Sequence, residues 1–394
     1  MAAGLGCRPG AVRPVDTGPA GAVWVDRRIR VRLARGVEAI ELAVEGGYRI
    51  TDTAGKLLAN SEGGLARCQA RASRASQAVI WIGPRRFERE TVQLIPTRDG
   101  TLQVDSRRYR GWLRLTCRPE GLTVVNIVDV EAYLKGVLRG ELPPWFSRET
   151  FRAQAIAART YALYQKFTVG LGRDYDVLAT ESSQVYIGVA GEDRKAVEAV
   201  DYTRGIVLTW SSPQGEKIFC SYYSSTCGGM TQDVANCKLQ RSIPPLAGGV
   251  VCDDCWFSPY YTWPPVRLSK QFITERLRRR YSAMRQLGRV EQVQVLTRTS
   301  DGRPIWLRIL DQSGRSFDLL AEDFRLCMGG HRLKSTHFRI EHEQEAILFT
   351  HGRGFGHGMG MCQYGAEGLA RRGATAAQIL RHYYPSSHLT RAYD

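Results

Sequence analysis

The chain has 394 residues, long enough for two or three structural units around sizeable cores. Hydrophobic residues make up 43% and charged residues 24%, with no low-complexity tract and no apolar run near the ~20 residues of a membrane-spanning helix, so a globular protein is expected and a helical span is not. The formal net charge of +16, from 55 basic against 39 acidic residues, points to an anionic partner: nucleic acid, anionic lipid or the acidic polymers of a cell wall.

In chain order, residues 1–20 are rich in Gly, Pro and Ala without periodicity and read as a disordered arm. Its opening, Met1-Ala-Ala-Gly-Leu-Gly-Cys7, ends like a lipoprotein signal yet lacks the charged start and apolar stretch of an intact signal peptide. A lipid anchor at Cys7 and an incidental cysteine are both open. Ile29, Val31 and Leu33, then Ile40, Leu42 and Val44, predict strands, with Gly46-Gly47 turning into a third over 48–50. Residues 78–82, 91–95, 112–115 and 122–125 add more β signal. After Asp129 the period changes: Val130, Tyr133, Leu134, Val137 and Leu138 fall at helical spacing, capped by Asp129 and stopped by Gly140. Leu142-Pro143-Pro144 prevents continuation, and Ser147 with Glu149 opens an alanine-rich helix to about Phe167. Strands return over 205–225, a Pro- and Cys-bearing loop fills 238–265, and a basic helix covers 269–285. Strands near 291–310 and 316–320 precede a C-terminal glycine run. The fold class is therefore α+β, a β-rich start followed by a mixed core and a glycine-rich strand.

Three segments carry a resemblance. They are Val124-Val-Asn126-Ile-Val-Asp-Val-Glu131-Ala-Tyr-Leu134-Lys-Gly136-Val-Leu-Arg-Gly-Glu141-Leu-Pro143, Ala153-Gln-Ala-Ile-Ala-Ala-Arg159-Thr160-Tyr161-Ala, and Ser183-Gln184-Val-Tyr186-Ile-Gly188. In this order they resemble the stage II sporulation protein D family, as do Ser224-Ser-Thr-Cys227-Gly-Gly-Met-Thr231 and the run from Gly352 to Ala366 that contains His357, Gln363 and Tyr364. The resemblance implies lytic cleavage of peptidoglycan glycan strands, ending chains in 1,6-anhydro-muramic acid, with no cofactor required. It also implies a place in the cell envelope, periplasmic or extracytoplasmic. The alternative within the family is a non-catalytic wall-binding enhancer of a cell-wall amidase.

For Glu141 the residues give an independent reason. A carboxyl beside the carbonyl end of a helix is disfavoured as an anion, which raises its pKa and suits a general acid; spacing alone nonetheless favours a solvated turn residue. The resemblance makes Glu141 the acid/base. It also places Arg159 at the site, positioning Glu141 or the glycan, where the residue alone would read as a helix salt bridge. Gln154, Ser183, Gln184 and Tyr186 are candidates for hydrogen bonding and stacking to sugar, against capping or turn-forming roles. Glycines at 352, 354, 356, 358 and 360 would leave one face of an extended strand bare for close approach, with His357, Gln363 and Tyr364 lining a groove or holding that strand by core hydrogen bonds. The spacing does not fit a dinucleotide loop.

Ten cysteines, five of them between Cys220 and Cys255, favour an oxidising compartment or a metal. Cys227, Cys237, Cys252 and Cys255 could form either a structural zinc site or two disulfides. Some relatives hold zinc in and before the segment ending in Gln-Val-Tyr, but residues 177–183 contain neither His nor Cys, so that site is not carried over. Cys362 reads as a buried free thiol. The basic clusters Arg27-Arg28, Arg278-Arg279-Arg280 and Arg371-Arg372 have no nucleic-acid-binding motif beside them, which sets nucleic acid aside. The expected organisation is an arm (1–20), a β-rich region (21–105), a catalytic core (106–236), a Cys-bearing loop with basic helix and β region (237–345), and a glycine-rich motif with helix completing the core (346–394).

Overall fold

A computed structural model describes residues 26–74, 77–97, 100–238 and 241–394; the expected arm and Cys7 lie outside them. Helices and several sheets are interspersed, an α+β fold as expected. The chain divides at Cys220/Ser221 into two compact units, and residues 389–394 return to the first. This differs from the expected boundary at 236. The C-terminal segment also splits: its larger part belongs with the second unit, and only the last six residues rejoin the first.

The first unit is built on two sheets of mainly antiparallel strands. In one, Arg28–Val37 pairs with Gly121–Asp129, followed outward by Trp112–Arg118, Thr91–Pro96, Tyr48–Thr51 and Leu57–Ser61, with Val177–Leu178 added in parallel at the other edge. The second sheet carries Ala39–Val44 beside Leu65–Ser73 and Val79–Ile82. Alternation explains the half-buried strands: Ile40, Leu42 and Val44 point inward while Ala39 and Glu41 do not. The strand 121–129 instead buries Leu122 to Val128 without alternating, because one face meets the second sheet and the other meets helices.

That strand runs straight into α1 (Val130–Glu141), whose start Asp129 caps by accepting the Glu131 N–H at 2.9 Å. The extra strands 57–61 and 65–73 and the helix α3 (Arg194–Tyr202) were not legible in the pattern. The alanines of α2 (Arg148–Phe167), among them Ala153, Ala155, Ala157, Ala158 and Ala162, are all buried and let it pack closely on α1, α3 and the strand Ile206–Ser212.

Gly140 does not stop α1, which continues through Glu141 to a cap at Leu142. Its purpose, with Gly136 one turn earlier, is close approach. A Cβ on Gly136 would lie 2.6 Å from the Tyr186 ring and 2.9 Å from the Gly188 carbonyl oxygen, and one on Gly140 would overlap the Val185 carbonyl oxygen. The two glycines make a side-chain-free stripe on which residues 185–188 lie, fastened where the Ile187 N–H donates to the Gly136 carbonyl at 3.0 Å.

In the second unit, Ala346–Arg353 pairs with Val266–Ser269, Thr262–Trp263 and His337–His342, and a three-stranded meander spans 290–320. Phe324, Phe338, Phe349, Leu307 and Ile309 fill its core beside the helix Lys270–Arg280, shorter than expected and capped by Ser269. The glycine run is extended only as far as Arg353, where that strand ends. Gly354, Gly356, Gly358 and Gly360 all have positive φ, so residues 354–360 wind irregularly and the bare strand face expected there is replaced by turns that require glycine. The chain regains β pairing at Met361–Cys362, parallel to Tyr223–Ser224.

Candidate active site

Glu141 is the last residue of α1 and half-buried. Its Oε1 accepts the Val185 N–H at 2.7 Å, so the segment held on the glycine stripe also orients the carboxylate. Around this point the polar residues interlock. The Tyr133 hydroxyl donates to Gln184 Oε1 at 3.0 Å, Gln184 Nε2 donates to the Ala158 carbonyl at 3.2 Å, and the Tyr186 hydroxyl donates to Asn126 Oδ1 at 3.1 Å. The Ser183 hydroxyl accepts the Leu178 N–H at 3.1 Å and also meets Tyr161. Burial raises the Tyr133 and Tyr161 phenols above their ordinary value, and the nearby Glu141 charge adds to this. Both therefore stay protonated and act as donors.

The expected sugar-contacting residues separate on this geometry. Gln154, Arg159, Gln184 and Tyr186 are shut off from solvent, with relative exposures of 0%, 0%, 0% and 1%. A polymer outside cannot reach such side chains, so as placed they build the scaffold. Ser183 is half-buried within the same segment as Gln184 and Tyr186. Arg159 forms a two-pronged pair with Glu131: Nε to Oε1 at 2.9 Å and Nη2 to Oε2 at 2.7 Å. Its Nη1 also donates to the Ile206 carbonyl at 3.0 Å. Tyr393, from the returning C-terminal residues, donates to Glu131 Oε1 at 2.6 Å. Burial pushes the Glu131 carboxyl up, but the hydrogen bonds and charge of Arg159, with Tyr393 and the Gly205 N–H, outweigh it and hold the carboxyl below its ordinary value.

Sequence reasoning missed Glu131 as Arg159's partner and Tyr393 as the further donor to Glu131. Glu131 lay in the quoted motif at a helix start, where an acidic residue is unremarkable; Tyr393 lies 262 residues from Glu131 and leaves no local signal. Trp145, four residues past Glu141 and half-exposed, was also passed over.

In the second unit, His357 is half-buried, and burial lowers its pKa to about 3, leaving a neutral ring whose Nδ1 accepts the Met359 N–H at 3.0 Å. Gln363 and Tyr364 begin the helix Gln363–Arg371; both are largely buried, and the Tyr364 ring lies 5.5 Å from that of Phe257. The expected cysteine set changes by one member. The Sγ atoms of Cys227, Cys252, Cys255 and Cys362 lie within 4.8 Å of one another, whereas Cys237 points its Sγ toward the His357 carbonyl at 3.7 Å. All described cysteines are thiols.

The first unit is thus an α+β scaffold in which a glycine-striped helix, an alanine-rich helix and an irregular strap present one carboxylate. Residues 118–210 match the family model "Stage II sporulation protein", and 257–360 match "Domain of unknown function (DUF8618)". Over 288 residues, 73% of each chain, the protein is 31% identical to an uncharacterised protein of Brachyspira hyodysenteriae. It is 28% identical to stage II sporulation protein D of Bacillus subtilis across 68% of this chain and 76% of that one. It is 26% identical to the amidase enhancer of the same organism across 65% of this chain and 40% of that one. The chain belongs to the stage II sporulation protein D family. The sporulation-protein match contains Glu141, Arg159 and the 183–186 segment but stops well short of His357, Gln363 and Tyr364.

Proposed function

We propose that the protein is a peptidoglycan lytic transglycosylase that uses Glu141 as its general acid and base. The observation that carries this reading is the placement of Glu141: a half-buried carboxylate at the open end of α1, held by the Val185 N–H, inside the family-matched segment. The same helix's other carboxylate, Glu131, is buried and committed to Arg159, so it is not offered to a substrate.

In the reaction, protonated Glu141 gives its proton to the oxygen linking muramic acid to the next sugar as the C1–O bond breaks. The muramic acid's own C6 hydroxyl then bonds to C1, closing the 1,6-anhydro ring, and its proton returns to Glu141. One carboxyl group serves both steps, whereas hydrolysis in most glycosidases recruits a second one. The exposed Trp145 ring offers a flat apolar face suited to stacking on a sugar. The +16 charge favours association with acidic wall material. Action on this polymer would place the protein in the cell envelope, outside the cytoplasm.

The test is mass analysis of purified glycan strands after incubation with the full chain. New ends should be anhydro sugars, one water lighter than reducing ends; exclusively reducing ends would refute the lytic mechanism. The relative named amidase enhancer supports a second reading, in which the protein binds wall and stimulates an amidase. Under that reading Glu141→Gln leaves the stimulation intact and no anhydro ends form with either form of the protein.

A further inference from the structure

We propose that Cys227, Cys252, Cys255 and Cys362 bind one structural zinc ion that clasps the glycine-rich segment of the second unit. The four thiols are buried, between 0% and 1% exposed, and mutually within 4.8 Å. The Cys227 and Cys255 sulfurs are 3.8 Å apart. A tetrahedron of sulfurs around zinc, each about 2.3 Å from the metal, has edges of about 3.8 Å, so the Cys227–Cys255 separation is that of two ligands sharing an ion, and the other sulfurs lie close enough to complete the set. Four protein sulfurs leave no position for water or substrate, which makes the centre a structural one.

The surroundings suit thiolates. Cys362 Sγ accepts the Cys227 N–H at 3.2 Å and, as cap of the helix Gln363–Arg371, the Gly365 N–H at 3.4 Å. Backbone donors at a helix start favour a sulfur anion. The Tyr383 hydroxyl lies 3.1 Å from Cys252 Sγ. Arg303, fully buried, donates from Nη2 to the Cys227 carbonyl at 2.6 Å, while its Nε and Nη1 have no hydrogen-bond partner among the described residues. A zinc ion with four thiolates carries a net charge of −2, and a buried guanidinium behind one ligand's carbonyl offsets part of it. Loading is balanced: four thiols surrender four protons as the ion enters, with no redox change.

The site joins segments remote in sequence, Cys227 and Cys362 being 135 residues apart. Cys362 lies two residues past the last of the positive-φ glycines, Gly360, and caps the helix that starts at Gln363, so the ion fixes the exit of that winding segment.

The full chain, purified without chelator or added metal, should carry one equivalent of zinc by elemental analysis. The reduced, metal-free chain given cobalt(II) alone should show the sulfur-to-cobalt charge-transfer and tetrahedral bands of a four-sulfur site. Cys252→Ser and Cys362→Ser should each lose the zinc, and Cys237→Ser and Cys327→Ser should keep it. Metal removal should raise hydrogen exchange in residues 354–366. Metal-free protein whose four cysteines resist alkylation until reduced, iron in place of zinc, or zinc lost with Cys237→Ser but retained with Cys362→Ser would each overturn the assignment. Should the serine variants not fold, the cobalt spectrum of the unmodified chain decides, since bands of fewer than four sulfurs exclude the set. These readouts do not depend on whether Glu141 cleaves glycan.

Discussion

The two ends of α1 carry the same side chain in opposite circumstances. Glu131, in the first turn, is 3% exposed and receives Arg159 through two hydrogen bonds, with Tyr393 and the Gly205 N–H completing its shell. Glu141, in the last turn, is half-buried and receives the Val185 N–H from a strap laid over glycines. At the first end the amide dipoles, the cation and the donors all favour the anion, and the carboxyl is fixed as part of the core. At the second end the carboxylate accepts a backbone N–H from the strap and is only half-buried, whereas the buried Arg159 is committed to Glu131. One helix thus carries one carboxylate locked into the core and one held half-buried by the strap.

Breaking the second end should give the largest effect. Glu141→Gln keeps size and hydrogen-bonding capacity but removes the titratable proton, so glycan cleavage should fall by about 10²–10⁴-fold, the usual worth of a general acid, with an unchanged melting temperature. Retained turnover in the folded variant would move the acid role elsewhere. Breaking the first end should give the reverse pattern. Arg159→Ala leaves the Glu131 carboxylate buried and uncompensated, a loss of about 3–5 kcal/mol by chemical denaturation. A double variant with apolar residues at both positions should be less damaged than that single one, which a double-mutant cycle would show.

The strap gives the intermediate case. At Gly140→Ala the new methyl would collide with the Val185 carbonyl, which is backbone and cannot swing aside. Displacing the strap should cost roughly 3 kcal/mol. It should also lower activity, because the Val185 N–H that holds Glu141 moves with it. Wild-type activity in a destabilised Gly140→Ala protein would show that this hydrogen bond does not set the carboxylate's function.

Much of this contrast was legible in the chain and some was not. The strand-to-helix change at Asp129, the cap there and the length of α2 follow from periodicity and capping chemistry, which are local. Glu141 was singled out by its place in a long motif and by the helix end beside it. Gly140 was misread as a helix stop because a glycine's local signal is conformational, while its role in this fold is steric and depends on Val185, 44 residues from Glu141's carboxylate. Arg159 was placed near Glu141 because a motif gives membership of a site without saying which carboxylate a guanidinium will choose; the choice fell on Glu131, which faces the same buried layer. The cysteine series groups neighbours in the chain and so takes in Cys237; that Cys362, read as a free thiol, joins Cys227 across 135 residues is decided by the fold and leaves no local signal.

The smallest effect sharpens the first end by pH. Because the folded carboxyl of Glu131 is held below its ordinary value, its contribution to stability is present above the unfolded value of about 4.5 and is lost as pH falls through the folded one. Tyr393→Phe removes one donor to that carboxylate while Arg159 stays in place, so it should lower stability by about 1.5 kcal/mol at neutral pH. It should also shift the carboxyl back toward its ordinary value, moving the acid-induced loss of stability in the first unit to higher pH. The second unit supplies an internal control. His337 and His357 are lowered to about 4 and about 3, chiefly by burial, so they stay neutral in the fold. Stability there declines as pH falls below the ordinary histidine value of 6.5, where the unfolded chain gains protons that the folded one refuses. Hydrogen exchange followed from neutral pH down to roughly pH 3, with the intrinsic pH dependence removed, resolves the two declines. In Tyr393→Phe only the first unit's decline should move; an unshifted decline, or one that moves in both units, would show that the Tyr393 hydrogen bond does not tune Glu131.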